Sequence, residues 1–363
     1  MIRKSLLILA ICAAAAGCSD RMPASVLAPT NAAPQAGARI VQVHAVTTRQ
    51  RQPGQPYAFG AGRAPELTFA SFDISIPPTH RSGEIEWAEG EPDPAKDFIT
   101  LRQEVLPRQT FKKEVEAKNV GIFIHGFNQS FQEALFRTAQ MGADSSLGAQ
   151  PILFSWSSEG HLSSYLADRD AADFARDGLV DTLTLLARSR PAGGRVRVLA
   201  HSMGARLTME ALRQLRLEGR GDVLDRLEVI LAAPDIDVDV FRRQANVIGP
   251  MREPMTVLVA TDDKALALSS KLSARRQRVG AIDLNNPRVQ KAVQESGMRV
   301  IDISSIQPDS IAHSRFVGLI ALYPRLDQPS YANNPVTGVR RAGGFVFDAV
   351  GVTFDSIGTI LAD

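Results

Sequence analysis

Ser202 lies at the point of the sequence that is best suited to nucleophilic chemistry. An apolar run over residues 196–200 leads into His-Ser-Met-Gly, and a segment with helical spacing begins near Ala205. A serine on a sharp strand-to-helix turn is typical of a nucleophile elbow, in which the turn leaves room only for small neighbours. Ala200 and Gly204 occupy the two neighbouring positions, with alanine where glycine is more usual. We therefore predict Ser202 as a nucleophile.

His313 is the candidate general base. A serine hydroxyl is a weak nucleophile until a neighbouring base removes its proton. In folds with this elbow, the chain order is nucleophile, acid and then histidine. The sequence has six histidines, and five of them precede the nucleophile: His44, His80, His125, His161 and His201. His313 alone follows it, in a polar loop after the apolar run 298–303, which is where a catalytic histidine is expected.

Three of the aspartates between the nucleophile and the base are candidates for the acid that orients the histidine. It should lie on a loop after a strand, so that its carboxylate can hold the imidazole and stabilise its protonated form. Asp262 and Asp263 follow one apolar run, and Asp235 follows the run before it. The acid usually follows the second strand after the elbow strand, which favours Asp263, with Asp235 and then Asp262 as alternatives. We expect the unused acid to cap the helix that starts there.

An oxyanion hole requires two backbone N–H donors. Met203, directly after the nucleophile, supplies one of them. His-Gly at the end of the apolar run 120–124 resembles the oxyanion loop of lipases and esterases, which makes the N–H of Phe127 the second donor. His125 in this loop and Trp156 after the next apolar run are candidates for lining the pocket. A structural role for His125 and ordinary packing for Trp156 are the alternatives.

Strands and helices alternate from residue 119 onward. Apolar runs bounded by turn residues predict strands at 120–124, 151–154, 196–200, 227–232, 255–259 and 298–303. Segments with helical spacing lie between them at 131–141, 170–186 and 205–217. This order predicts an α/β fold with a mostly parallel sheet and helices on both faces. Chemistry in such folds gathers at the carboxyl ends of the strands.

The part of the chain before residue 119 predicts additional strands. Residues 40–46, 67–76 and 83–87 have extended patterns, which predict an antiparallel edge that precedes the main sheet. We divide the chain into N-terminal strands over 39–118, a core over 119–321 and a C-terminal extension over 322–363. The sequence does not indicate what the extension does.

Several motifs together are similar to one group of bacterial α/β hydrolases that is catalogued as a domain of unknown function. They are His-Gly-Phe-Asn at 125–128, Phe-Arg-Thr-Ala-Gln at 136–140, Phe-Ser-Trp-Ser-Ser at 154–158, Ala-His-Ser-Met-Gly at 200–204, Ala-Pro-Asp-Ile-Asp at 233–237 and Asp-Lys-Ala-Leu at 263–266. The resemblance covers about residues 120–316. It implies the α/β-hydrolase fold and esterase- or lipase-like chemistry, and it favours Asp263 as the acid.

The N-terminus has the features of a bacterial lipoprotein signal. Two basic residues precede an apolar run over residues 6–16, which is too short to span a membrane, and Ala-Ala-Gly then leads into Cys18. This run resembles a lipobox, so we expect a signal peptide over 1–17, a lipid on Cys18 and a disordered tether over 18–38. Ser19 favours the outer membrane, with the protein facing the periplasm. An ordinary secretory signal is the alternative.

Composition narrows the chemistry and the partners. The chain has 41 Lys and Arg against 39 Asp and Glu, so it offers no broad positive surface for nucleic acid. Its two cysteines, Cys12 and Cys18, lie within and directly after the signal, which excludes disulfides and thiolate chemistry from the mature domain. The histidines lack the spacing of a metal site. We expect neither a metal nor a cofactor.

These features together predict a serine hydrolase that acts on an ester of a small molecule or a lipid through an acyl-enzyme. The alternative is a lipid-anchored envelope scaffold that retains the fold for binding. Such a protein has no need of a nucleophile, a base, an acid and an oxyanion loop together. The sequence leaves the substrate and the oligomeric state open.

Overall fold

A single mixed sheet organises the protein. The computed structural model describes residues 21–145, 148–304, 306, 314–317 and 339–341. Within these residues, the strand order across the sheet is β10-β9-β8-β7-β6-β4-β5-β1-β2-β3. The strands are β1 Arg39–Gln52, β2 Gln55–Ile76, β3 Ile99–Leu106, β4 Val120–Ile124, β5 Gln150–Ser155, β6 Val196–His201, β7 Leu227–Ala232, β8 Thr256–Val259, β9 Arg299–Asp302 and β10 Val339–Arg341.

Helices connect the strands and cover both faces of the sheet. They are α1 Arg108–Val115, α2 Phe131–Asp144, α3 Tyr165–Arg188, α4 Met203–Leu217, α5 Gly221–Leu224, α6 Val238–Ile248, α7 Lys264–Leu272 and α8 Pro287–Ser296. Strand β4 illustrates the two layers, because Ile122 and Ile124 join one buried cluster with α3 and α4, whereas Phe123 joins the other with α2. Each such side chain contributes about 1.5–3 kcal/mol by burial. The predicted α/β fold with helices on both faces is confirmed.

The strands from β10 to β1 are parallel, and the last two pairs are antiparallel. β1 pairs in parallel with β5, with His44 opposite Ile152, so it belongs to the main sheet. The antiparallel pairs are β1 with β2 and β2 with β3. The predicted antiparallel edge is therefore formed by β2 and β3. The prediction was wrong for residues 40–46, because they belong to β1, which pairs antiparallel with β2 and parallel with β5.

The extended pattern at residues 83–87 does not form a strand. Ile85 and Trp87 pack on the buried cluster around α2, and the Trp87 ring stacks on Phe136 with ring centroids 4.9 Å apart. The alternation of apolar and polar residues therefore reflects packing on a helix and not a strand ladder. The third N-terminal strand is β3, which the sequence pattern did not indicate.

Residues 21–30 pack against the domain, whereas most of residues 31–38 are exposed. A short 3-10 turn, Ala24–Leu27, buries Leu27 completely. The Thr100 hydroxyl donates to the carbonyl oxygen of Val26 at 2.9 Å, and the Thr30 N–H donates to the Thr100 carbonyl at 2.9 Å. The structure thus differs from the predicted free tether over this range.

Several predictions fall outside the described residues. They concern the signal peptide, Cys18, His313 and the C-terminal extension apart from β10. In the described part of the chain, no helix combines the length and the apolar character that crossing a membrane requires.

Candidate active site

Ser202 occupies a strained turn between β6 and α4. Its backbone has φ 53° and ψ −117°, a region that non-glycine residues rarely adopt and that costs about 1–3 kcal/mol. The turn is held on both sides, because the Ser202 N–H donates to the Ala232 carbonyl at 2.9 Å and the Asp235 N–H donates to the Ser202 carbonyl at 3.2 Å. Strain that neighbouring elements hold in place is typical of a functional position.

Two glycines allow the elbow to pack tightly against the loop after β4. A Cβ atom at Gly204 would lie 2.4 Å from the carbonyl oxygen of His125. A Cβ atom at Gly126 would lie 2.8 Å from His201 Nδ1 and 3.0 Å from Ser202 Cβ. Any side chain at either position would therefore push this loop away from Ser202.

The two predicted oxyanion donors belong to the segments that meet here. Met203 is the first residue of α4, and the first N–H groups of a helix have no acceptor within the helix. The positive end of the α4 dipole also favours negative charge at this point. Phe127 directly follows Gly126, and its ring meets the Tyr165 ring edge-on at 5.4 Å between centroids.

Arg49 of β1 supports the loop over residues 125–129, which carries the predicted donor Phe127 and which we name the oxyanion loop after that prediction. Its guanidinium donates to the Gln129 carbonyl at 2.8 Å, to the Ser155 hydroxyl at 2.9 Å and to the Ser158 carbonyl at 2.9 Å. Burial lowers the pKa of Arg49 to about 10, so the side chain remains a cation at neutral pH. Sequence reasoning missed Arg49, because its position in a strand does not reveal that distant loops surround it.

Asp168 of α3 fixes the other side of the loop after β5. Its carboxylate accepts from the Ser158 hydroxyl at 2.5 Å and from the Glu159 N–H at 2.8 Å. Burial raises the pKa of Asp168, although these donors and the Arg49 cation oppose that shift. The sequence contained no signal for this residue beyond its location in a helix.

His125 and Trp156 lie completely inside the protein beneath the oxyanion loop. Their rings stack with centroids 5.0 Å apart and an interplanar angle of 12°, and the indole N–H donates to the His125 carbonyl at 2.8 Å. His125 Nδ1 donates to the Gly126 carbonyl at 2.8 Å. Burial and the Arg49 cation lower the pKa of His125 to about 3. His125 is therefore neutral at physiological pH, and it positions the loop backbone.

Asp235 lies beside the elbow, but its carboxylate already has three partners. It accepts from the Tyr165 hydroxyl at 2.8 Å and from the Ser269 hydroxyl at 2.5 Å. The Arg278 guanidinium lies 3.2 Å from the same carboxylate, and both charged side chains are buried. Asp237 caps α6, so Asp235 is not the helix cap that we expected of an unused acid.

Asp262 and Asp263 are adjacent in the chain, but their side chains differ in exposure and in partners. Asp262 is half-exposed and forms a two-pronged ion pair with Arg315, whose guanidinium lowers the pKa of Asp262. Asp263 is buried, and its carboxylate accepts from the Leu266 N–H at 2.9 Å. The residue favoured as the acid is therefore itself the N-cap of α7, and Asp262 is not a cap.

His313 lies outside the described residues, but the residues that follow it are placed next to the elbow. The Phe316 ring lies 4.6 Å from the His201 ring and 6.2 Å from the Phe123 ring, measured between centroids. Arg315 contacts Asp262, the neighbour of Asp263. Residues 314–317 therefore lie beside the carboxyl ends of β4, β6 and β8.

Across the described ranges, no three His, Cys, Asp or Glu side chains come together in a way that could hold a metal ion. His161, which follows the loop after β5, is exposed.

Comparison with known proteins agrees with the fold. A search of curated proteins finds no match to the sequence. The model of one family, described as an alpha/beta hydrolase of unknown function (DUF900), matches residues 102–328, which is more than half of the chain. The matched range contains the elbow, the oxyanion loop and all three candidate acids. The chain therefore belongs to the α/β-hydrolase family DUF900.

Proposed function

We propose that this protein is a serine hydrolase that cleaves carboxylic esters through an acyl-enzyme. Ser202 is the nucleophile, His313 the base and Asp263 the acid. The observation that carries the proposal is the elbow itself, in which a strained Ser202 packs against Gly126 of the oxyanion loop. A fold that served only for binding would gain nothing from holding a serine in this conformation.

The reaction takes place in two steps. The Ser202 hydroxyl oxygen attacks the ester carbonyl while His313 accepts the hydroxyl proton, and His313 then gives this proton to the departing alcohol. Water attacks the acyl-enzyme with His313 as the base, which releases the carboxylic acid and restores the hydroxyl. One ester and one water thus yield one acid and one alcohol, and no cofactor is consumed.

The negative charge of the tetrahedral intermediate is stabilised by the N–H groups of Phe127 and Met203. Each donor of this kind contributes about 10²–10³-fold to the rate when it is fixed in advance. Arg49 and His125 hold the loop that carries Phe127, because they bond the Gln129 and Gly126 carbonyls. The donor therefore does not have to reorganise during the reaction.

Asp263 is proposed as the acid because of the partners of its two rivals. The carboxylate of Asp235 is engaged by Tyr165, Ser269 and Arg278. That of Asp262 is engaged by Arg315. Asp263 lies on the loop after β8, where the acid of this fold usually lies, and it directly follows Asp262, which contacts Arg315 of the segment after His313.

The location that we propose is the bacterial envelope, with a lipid on Cys18 that anchors the protein to the outer membrane, facing the periplasm. The support is the short apolar run followed by Ala-Ala-Gly-Cys. Mass spectrometry of the mature N-terminus should find an acylated Cys18. A mature chain that begins elsewhere and is soluble in the periplasm would contradict the anchor.

Covalent labelling tests the nucleophile. A fluorophosphonate should bond to the Ser202 oxygen with loss of fluoride in the wild type, and Ser202→Ala should not be labelled. Ser296→Ala, at the exposed end of α8, is the matched control and should label normally. If the wild type fails to label and hydrolyses no p-nitrophenyl ester, the protein is a binding scaffold and the proposal is wrong.

Kinetics tests whether Ser202 and His313 act as one unit. Ser202→Ala and His313→Ala should each lower kcat on a p-nitrophenyl ester by up to about 10⁶-fold, and the double mutant should be hardly worse. A residual rate on the order of 10³-fold above water should remain from the oxyanion donors. A folded Ser202→Ala variant with full activity would overturn the assignment.

A further inference from the structure

The chain directly after the proposed lipid attachment is fixed to the oxyanion loop. The Arg21 guanidinium lies 2.9 Å from the Glu133 carboxylate and donates to the Asn128 carbonyl at 3.0 Å. The Gln132 side chain donates to the Met22 carbonyl at 2.6 Å. Asn128 is the residue after Phe127, so the contact of Arg21 with Asn128 lies one residue from a proposed oxyanion donor.

Glu133 connects this contact to the start of α2. Its carboxylate accepts from the Ser130 N–H at 2.8 Å and forms a capping box with Ser130, and it also binds Arg21. Leu27 is completely buried a few residues later. The segment from Arg21 to Leu27 is therefore held at both of its ends.

The length of chain between Cys18 and Arg21 limits the distance between the lipid and the oxyanion loop. A fully extended chain spans at most about 3.3–3.6 Å per residue, so three residues reach about 10 Å. If the chain were free as far as Arg39, the reach would be about 70 Å. Because Arg21 is fixed to the loop, the reach of the tether is about 10 Å instead of about 70 Å.

Four exposed leucines belong to the segments that follow β5 and β8, two parallel strands whose carboxyl ends share one edge of the sheet. We call them the leucine rim: Leu162, Leu166, Leu268 and Leu272, with exposures of 68%, 69%, 50% and 57%. Leu162 and Leu166 flank Tyr165, whose hydroxyl lies 2.8 Å from the Ser269 hydroxyl of α7. The same Tyr165 ring contacts Phe127.

Arg21 lies beside one side of this rim. A Cβ atom at Gly160, two residues before Leu162, would lie 2.9 Å from the Arg21 guanidinium. The short anchor, the oxyanion loop and the leucine rim thus share one edge of the protein. Large apolar side chains that remain exposed together mark a surface for a membrane or another apolar partner.

We infer that the lipid on Cys18 holds the leucine rim against the bilayer, so that Ser202 acts on acyl esters of lipids in that same membrane. This inference rests on the proposed lipidation and on the proposed hydrolase activity. The ester groups of membrane lipids lie at the interface between headgroups and acyl chains. Arg21 lies within about 10 Å of the anchor and contacts the oxyanion loop, so the active-site edge can reach these ester groups while the substrate lipid stays in the bilayer.

Fluorescence quenching tests the orientation independently of catalysis. The mature chain has no cysteine besides Cys18, so one introduced cysteine can carry an environment-sensitive fluorophore. Leu162→Cys and Leu166→Cys place it on the leucine rim. The matched control is Leu217→Cys, which is 62% exposed and ends α4, about 22 Å from Ser202.

The labelled lipoproteins are reconstituted into vesicles of phosphatidylethanolamine and phosphatidylglycerol that contain a nitroxide-labelled phospholipid. Quenching at Leu162→Cys and Leu166→Cys should exceed quenching at Leu217→Cys several-fold. Equal quenching on the rim and at the control, or none on the rim, would overturn the inference, whether or not the protein hydrolyses esters.

A spacer tests the role of the short anchor. About twelve Gly and Ser residues inserted between Asp20 and Arg21 leave the docked segment intact but let the anchor move away. Rim quenching and hydrolysis of phospholipid in the anchoring vesicle should both fall several-fold, while hydrolysis of p-nitrophenyl butyrate remains unchanged. If the spacer variant hydrolysed phospholipid as fast as the wild type, the inference would be overturned. It would also be overturned if the wild type cleaved p-nitrophenyl butyrate but no phospholipid. Loss of soluble-ester hydrolysis in the wild type would instead overturn the proposed function.

Discussion

The loops after β7 and β8 each present an aspartate at the same edge of the sheet, and their surroundings differ. Asp235 after β7 has a buried cation and two hydroxyls around its carboxylate. Asp263 after β8 caps α7 by accepting from the Leu266 N–H at 2.9 Å, and it directly follows Asp262, which contacts Arg315 of the segment after His313. Two buried carboxylates in neighbouring loops thus have different surroundings, because one holds a buried cation and two hydroxyls whereas the other begins a helix.

The loop after β7 is built to be rigid. Gly280 packs so closely on its backbone that a Cβ atom would lie 2.5 Å from the Ala233 carbonyl carbon. Arg278, two residues earlier, reaches the Asp235 carboxylate, and Tyr165 joins this loop to α3. We therefore interpret Asp235 as the charge that holds three segments behind the elbow.

Asp263→Asn should have the largest effect of the substitutions at the three candidate acids, and the effect should be on turnover. The amide cannot hold His313 in the correct tautomer, so kcat on a p-nitrophenyl ester should fall by about 10⁴-fold. Stability should change little, because asparagine caps helices about as well as aspartate. Asp237→Asn, the same change at the N-cap of α6, is the matched control and should retain activity. If Asp263→Asn kept full activity and Asp235→Asn lost it, Asp235 would be the acid and Asp263 would have the structural role.

Asp235→Asn should act on stability. It leaves the buried Arg278 without its charged partner, which should lower the free energy of unfolding by about 3 kcal/mol in urea titrations. Turnover per folded molecule should stay within a few-fold of the wild type. The double variant Asp235→Asn, Arg278→Met should recover part of the loss, because it removes the unpaired cation. A strictly additive double variant would contradict the structural reading of this ion pair.

The sequence could predict the parallel core but not the partners of its acids. β4 and β7 have the predicted bounds because strands buried on both faces are continuous apolar runs. The sequence favoured Asp263 over Asp235 only through strand order and the resemblance to the family. It could not reveal the partners of Asp235, because Tyr165 lies 70 residues before it. The support of the oxyanion loop by Arg49 also depends on contacts between distant segments.

The prediction of a disordered tether was wrong for the residues from Arg21 to Thr30 for a related reason. The composition of this segment resembles a disordered chain, and its anchoring rests on few residues, mainly Arg21 and Leu27, whose partners lie elsewhere in the fold. The alternation at 83–87 was equally ambiguous, since packing of Trp87 on α2 gives the same pattern as a strand. His313 stays a prediction.

Asp262→Asn should have the smallest effect, and its pH dependence separates it from its neighbour Asp263. Arg315 holds the pKa of Asp262 below its ordinary value, so the ion pair stabilises the fold above the ordinary carboxyl pKa. The contribution is lost as the pH falls through the lowered value. Because Asp262 is half-exposed, the variant should lose about 1 kcal/mol or less at neutral pH.

The matched control for this last prediction is Asp222→Asn, which breaks an ion pair with Arg188 in which both side chains are more than half exposed. It should lose less than Asp262→Asn, because the guanidinium of Arg315 is buried whereas that of Arg188 is hydrated. Unfolding measured from neutral to acid pH should show the deficit of Asp262→Asn disappear below the lowered pKa of Asp262, with turnover nearly unchanged at neutral pH. A large loss of turnover in Asp262→Asn would move the acid by one residue and would remove the contrast between the loops after β7 and β8.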